Sequence, residues 1–152
     1  MAQNATSETV FRVRGLSKIY RTGDVEVFAL RSVDFEAVRG EFVVILGPSG
    51  SGKSTFLNII GGLDTPSQGQ VWYEDRDLSR ASSRELTRFR RESIGFVFQQ
   101  YNLFPALTAR ENVEYALNVK GVSGRDARRE ALAAIERVGL AERLGHYPKH
   151  LS

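Results

Sequence analysis

The chain has 152 residues, 41% hydrophobic and 26% charged, with a formal net charge of +3. That is enough chain for one globular domain, with no apolar run long enough to span a bilayer. It contains no cysteine, which excludes disulfides and thiolate metal sites and fits a reducing compartment.

Residues 1–9 read as a flexible tail, polar and without the apolar core of a secretory signal. From residue 10 onward the chain reads as one folded region. "FRVRGLSKIY" and "VFALRSVDFEAV" alternate apolar and polar positions, which predicts two strands of an antiparallel sheet with one wet face. After a turn at Arg39-Gly40, "FVVIL" (Phe42 to Leu46) is apolar throughout, the pattern of a central parallel strand covered on both faces. "STFLNIIGG" then has helical spacing through Phe56, Leu57 and Ile60, with Gly61-Gly62 as its C-terminal cap.

"DTPSQG" reads as a turn and "QVWYED" as a strand. Ser82 and Glu85 form a capping box that opens the next helix. The densest basic stretch, Arg76 to Ser93, is interrupted by Asp77, Glu85 and Glu92 around apolar Leu86 and Phe89. It predicts a solvated amphipathic helix, and no nucleic-acid partner is expected. "IGFVF", Ile94 to Phe98, reads as a second buried strand, followed by the loop "QQYNLFP". A second capping box, Thr108 and Glu111, opens a helix with Val113 and Leu117 on one face and Ala116 beside them. The last helix aligns Leu132, Ile135 and Val138. Strands and helices alternate after residue 40, which argues for an α/β layer.

The chemistry is concentrated in "GPSGSGKST". Gly47-Pro48-Ser49-Gly50-Ser51-Gly52-Lys53-Ser54 fits G-x-x-x-x-G-K-[ST], a phosphate-binding P-loop, with Thr55 behind it. Phosphate oxygens are densely charged, and backbone N–H groups on a bare loop satisfy them without bulky side chains. The helix after the loop adds its own N-terminal N–H groups and dipole. Lys53 is the residue expected to reach the β- and γ-phosphates, and the Ser54 hydroxyl to ligate Mg2+.

Four stretches together resemble the ATP-binding subunits of ABC transporters: "GPSGSGKST", "IGFVFQQYNLFPALTARENV", "LSKIY" and "YPKHLS". "LNIIGGLDTPSQGQV" and the pair Gln99-Gln100 are most similar to the lipoprotein-releasing and macrolide-export branch. The resemblance implies a P-loop NTPase of ABC type: an antiparallel β subdomain, part of a RecA-like core and, from about residue 105, the start of a helical subdomain. It implies Tyr20 as the aromatic that stacks on adenine and Gln99 as the glutamine that reaches the metal or the attacking water. Leu151 and Ser152 would be the first residues of the signature motif LSGGQ, so the chain reads as incomplete at its C-terminal end. The aspartate and glutamate that the family uses for metal ordering and catalysis have no counterpart here, and His146 and His150 read as surface residues.

For the parent protein the resemblance implies a set of expectations. It would bind ATP and Mg2+ and hydrolyse ATP to drive export or extraction of a lipid-linked or hydrophobic substrate. It would pair with a second ATP-binding subunit, the Ser152 of one subunit facing the γ-phosphate held by Lys53 of the other. It would dock on a transmembrane permease at the cytoplasmic face of the inner membrane, through the surface to which the Leu103-Phe104-Pro105 loop leads. Two alternatives stay open: a nucleotide-binding fragment without turnover, and a soluble ABC-type ATPase of translation or DNA repair. At Asp75 the family pattern leads one to expect glycine, and aspartate is read there as a left-handed turn residue.

Overall fold

The structure, a computed structural model, describes residues 8–99 and 101–151, which divide into two compact units, the first ending at Arg90 and the second beginning at Arg91.

The first unit is built on the two predicted antiparallel strands. β1 (Thr9–Thr22) and β2 (Val25–Val38) form a long hairpin closed by Gly23-Asp24. Thr9 pairs with Val38, so it belongs to the sheet and not to the tail; residues 1–7 lie outside the described residues. Alternation does its work in the middle of β1, where Val13 and Leu16 are fully buried. Their spacing of three, not two, reflects register shifts between Val13 and Leu16, where an irregularity curls the strand. β3 (Gln68–Tyr73) pairs on the other side of β1 and β4 (Arg76–Asp77) on β3, giving the order β2-β1-β3-β4. In the connection between β3 and β4 the left-handed residue is Glu74 (φ 52), not Asp75. Glu74 is held there by its own N–H to the Val10 carbonyl (2.8 Å) and by Arg39 donating to its carboxylate (2.7 Å).

Two helices bury themselves against this sheet. α1 (Lys53–Ile60) presents Phe56 and Ile59 inward, whereas Leu57 is 50% exposed. The inward face is therefore i, i+3, one residue off the predicted Phe56-Leu57-Ile60 set. Phe56 meets Phe35 of β2 edge-on at 5.3 Å. α2 (Ser83–Ser93) buries Leu86 and Phe89 as expected, with Phe89 against Tyr73 of β3 at 5.1 Å. Its capping box is formed: Glu85 accepts from the Ser82 N–H and hydroxyl at 2.8 and 2.7 Å. Those bonds draw the Glu85 carboxyl below its usual range.

The second unit contains α3 (Ala109–Val119), α4 (Gly124–Arg137) and two short 3-10 turns at Ala141–Arg143 and Pro148–His150. The Thr108–Glu111 capping box is complete. Asn112 is buried and fully engaged: it accepts from the Phe104 N–H (2.8 Å) and donates to the carbonyls of Phe104, Leu107 and Thr108. α4 buries Ala127, Ala131 and Ile135, an i, i+4, i+8 stripe, while Val138 is 67% exposed. The predicted Leu132-Ile135-Val138 stripe is thus corrected. Two of the three buried positions are alanines, small enough to permit close approach of a neighbouring helix. His146 and His150 are exposed, as expected.

The two expected buried strands, of which 42–46 was expected to be parallel, do not form. Residues 42–46 and 94–98 carry no ladder, Phe42 is 90% exposed and Val97 102% exposed. A parallel strand exists only when partner strands take up its N–H and C=O groups. Among the described residues nothing pairs with either segment. Phe96 and Phe98 instead stack on each other, with centroids 5.6 Å apart.

Candidate phosphate and base site

The loop from Gly47 to Gly52 joins the unpaired apolar segment to α1, and its shape is decided at Gly52. This residue is the N-cap of α1 with φ 90, a left-handed backbone that glycine tolerates at little cost. A Cβ there would lie 2.4 Å from the Ala29 carbonyl oxygen and 2.9 Å from a Leu30 methyl. Gly52 therefore seats the start of α1 directly on the backbone of β2, and no other residue fits. With the helix start so fixed, Lys53 folds back across the loop. Its Nζ donates to the carbonyls of Gly47 and Pro48 at 2.8 and 2.7 Å and to the Ser51 hydroxyl at 3.3 Å. All three ammonium donors are thus directed at the loop. Ser49 and Ser54 are exposed and Thr55 half-buried at the same end of α1.

Beneath the loop lies a cavity of about 380 Å³, bounded by Leu30 and Phe35 of β2, Ile45, Pro48, Lys53 and Phe56. Its wall is largely apolar, as the run before the loop dictates. Its polar residues are Asp34 of β2, Ser51 of the loop and Lys53 at the start of α1.

Tyr20, near the end of β1, pairs with Val27 of β2 and keeps its side chain 41% exposed. Its hydroxyl donates to Asp64 Oδ2 at 2.9 Å. Lys18, two residues earlier, places its ammonium 5.0 Å from the ring centroid. The same ammonium donates to Asp64 Oδ1 at 2.6 Å and to the Thr65 carbonyl at 2.7 Å. Burial pushes the Asp64 carboxyl up. The hydrogen bonds from Lys18, Tyr20 and the Thr65 N–H outweigh it and hold the group below the usual carboxylate range. Asp64 and Lys18 were not singled out from the sequence. The available signal was the i, i+2 spacing of Lys18 and Tyr20, which puts both on one face of a strand.

Gln99 is exposed on the segment after α2, in the second unit. Gln100 and Ser152 lie outside the described residues. Among the described residues no cluster of three His, Cys, Asp or Glu side chains could hold a metal ion by itself. An ion here would be held mainly by phosphate oxygens of a nucleotide, the usual mode for Mg2+, with Ser54 the hydroxyl placed to join them. The exposed hydroxyl at the start of α1 and the bare loop fit that mode.

A glycine-seated loop at a helix N-terminus, crossed by one lysine, defines a P-loop protein. Residues 30–152 match the family model described as ABC transporter, and the chain belongs to that family. It is 40% identical over 146 residues to the lipoprotein-releasing system ATP-binding protein LolD of Idiomarina loihiensis, covering 96% of this chain and 64% of that protein. It is 44% identical over 146 residues to the macrolide export ATP-binding/permease protein MacB of Agrobacterium fabrum, covering 96% of this chain and 22% of that protein. The structure superposes on the ATP-binding cassette MJ0796, solved as a dimeric post-hydrolysis state bound to ADP and Pi, with a TM-score of 0.85 at 44% identity. That match covers 93% of this chain and 63% of the cassette. The antiparallel sheet, P-loop and helices therefore correspond to part of an ABC-type ATP-binding cassette. The chain spans 58% and 63% of the length of the first two curated relatives it matches.

Proposed function

We propose that this chain carries the nucleotide-binding half of an ABC transporter ATP-binding subunit, and that the full-length protein hydrolyses ATP to drive transport. The observation that carries this reading is the Gly52–Lys53 pair. One residue is forced against β2 so that the next can cross the loop with all three donors inward. In this reading Gly47 to Thr55 hold the phosphates, Lys53 neutralises the β- and γ-oxygens, and Tyr20 stacks on the base. Ser54 and Gln99 would hold Mg2+, which on binding would supply charge neutralisation at the phosphates, and Gln99 would orient the attacking water. Ser152 would face the nucleotide held by a second copy of the protein. A transmembrane permease is the expected partner, which places the protein peripherally at the cytoplasmic face of the inner membrane. Among the described residues no helix is long and apolar enough to cross a membrane. The similarity to proteins named for lipoprotein release and macrolide export supports a lipid-linked or hydrophobic substrate.

The test is ATP binding and phosphate release by full-length protein with Lys53→Ala. Loss of turnover with strongly weakened binding is expected; near-normal turnover would refute the P-loop reading.

A second reading applies to residues 1–152 on their own: nucleotide binding without turnover. The exposed, unpaired runs 42–46 and 94–98 favour it, since apolar extended segments with free backbone groups are routes to self-association. Expressed alone, these residues are expected to be poorly soluble and to release phosphate no faster than their own Lys53→Ala control. A monodisperse product with turnover above that control would overturn this reading.

A further inference from the structure

The sequence motifs account for the phosphate end of the site and leave Lys18 and Asp64 without a role. Their geometry supplies one. Asp64 lies just beyond α1, the helix that starts at the phosphate loop, and its N–H is bonded to the Asn58 carbonyl at 3.2 Å. The next segment of chain is pinned to β1. Ser67 N–H donates to the Ser17 carbonyl at 2.9 Å, and the Ser67 hydroxyl accepts from Ile19 N–H at 3.0 Å. Asp64 is thus a rigid post tied to both α1 and β1, and its two carboxylate oxygens are used separately. One holds the Lys18 ammonium and the other the Tyr20 hydroxyl. The Lys18 side chain is only 12% exposed, so this ammonium is not a loose surface charge. It lies over one face of the Tyr20 ring, at 5.0 Å from the centroid.

An aromatic ring held at its tip and against one face, yet 41% exposed, is a prepared stacking surface. Rotamer freedom that a free tyrosine loses on contact with a base has already been removed. We propose that Asp64 and Lys18 are positioning residues for the nucleotide base, acting through Tyr20 and tying the base platform to the helix that starts the phosphate loop. The inference rests on the reading of Tyr20 as the base-stacking residue. It assigns Asp64 and Lys18 to discrimination between a base-bearing triphosphate and a bare one, not to phosphate binding.

The experiment uses full-length protein with Mg2+, displacing trinitrophenyl-ATP with either ATP or inorganic tripolyphosphate, which has no base. Removing the preorganisation in Asp64→Ala should weaken ATP about two- to tenfold, the range expected for ordering one side chain at an interface, and leave tripolyphosphate unchanged. Lys18→Met, which keeps the aliphatic stem, should move ATP in the same direction with the same tripolyphosphate control. The double variant Asp64→Ala/Tyr20→Ala should bind ATP no more weakly than Tyr20→Ala alone, because the carboxylate then has no ring to position. Equal weakening of ATP and tripolyphosphate would overturn the proposal, making Asp64 a support for α1. So would unchanged ATP affinity in Asp64→Ala and Lys18→Met while Tyr20→Ala is impaired. Unchanged ATP affinity in Tyr20→Ala itself would sink the stacking reading on which the proposal rests.

Discussion

Gly50 and Gly52 are both left-handed glycines of the same loop, and their alanine variants should differ sharply. Gly50 has φ 79 and nothing within 4 Å of where a Cβ would stand. Gly50→Ala therefore bears only the left-handed penalty, about 1–2 kcal/mol. Gly52 has φ 90 and carries the same penalty, but its Cβ would stand 2.4 Å from the Ala29 carbonyl oxygen. The Leu30 methyl at 2.9 Å can rotate away; the Ala29 carbonyl, in the backbone between the paired residues Phe28 and Leu30, cannot move without shifting β2. Relief requires α1 to lift off β2, an overpacking cost of about 1–3 kcal/mol more. Gly52→Ala should then destabilise by about 2–5 kcal/mol in total, and by at least about 1 kcal/mol more than Gly50→Ala. Urea unfolding of the full-length protein without nucleotide reads this difference directly, since both variants expose the same surface and share a slope. The lift also moves Lys53, so ATP affinity should fall further in Gly52→Ala than in Gly50→Ala. Two variants of equal stability would mean that the loop is not seated on β2 and that Gly52 does not set the position of Lys53.

Lys53→Arg should bind ATP poorly, because a planar fork does not reproduce a point charge seated at 2.7–2.8 Å from two loop carbonyls; wild-type affinity in a fluorescence titration would contradict that geometry. Asp64 is held below its ordinary pKa, so its contribution to stability is fully present above about pH 4 and is lost as pH falls through the lowered folded value. Urea midpoints measured between neutral pH and about pH 3 should drop more steeply for wild type than for Asp64→Asn; parallel profiles would refute the ion-pair account. Asn112→Leu should cost about 1–3 kcal/mol by stranding buried backbone groups. It should also speed hydrogen exchange at the Phe104 amide, whose acceptor is the Asn112 side chain, and unchanged exchange there would show that the loop holds itself.

The features legible in the sequence are those that short-range physics decides. A capping box spans four residues, and both predicted boxes are formed. The phosphate loop is equally local, because its bareness, its lysine and its hydroxyls are contiguous, and the left-handed residue that anchors it is a glycine. The hairpin strands were readable because one face of β1 and β2 is wet. The α4 stripe was not, because two of its three buried residues are alanines. They contribute little to an apolar pattern and much to close approach.

"FVVIL" and "IGFVF" show the larger gap between pattern and fold. Both have the composition of doubly covered strands, yet both lie open. Composition states what environment a segment needs, whereas a parallel strand forms only if other segments supply that environment. The same logic governs the proposed base site. Tyr20 and Asp64 meet across 44 positions of sequence and Lys18 and Asp64 across 46, so no window of the chain displays them together. Folding brings to the Tyr20 ring a carboxylate fixed to the helix that begins at Lys53, which would tie the two ends of the proposed nucleotide site through eight residues of α1. In the proposed site the phosphate end is specified by consecutive residues and the base end by residues that only folding assembles, so under that reading variation at Lys18, Tyr20 or Asp64 would alter the hold on the base without touching the loop.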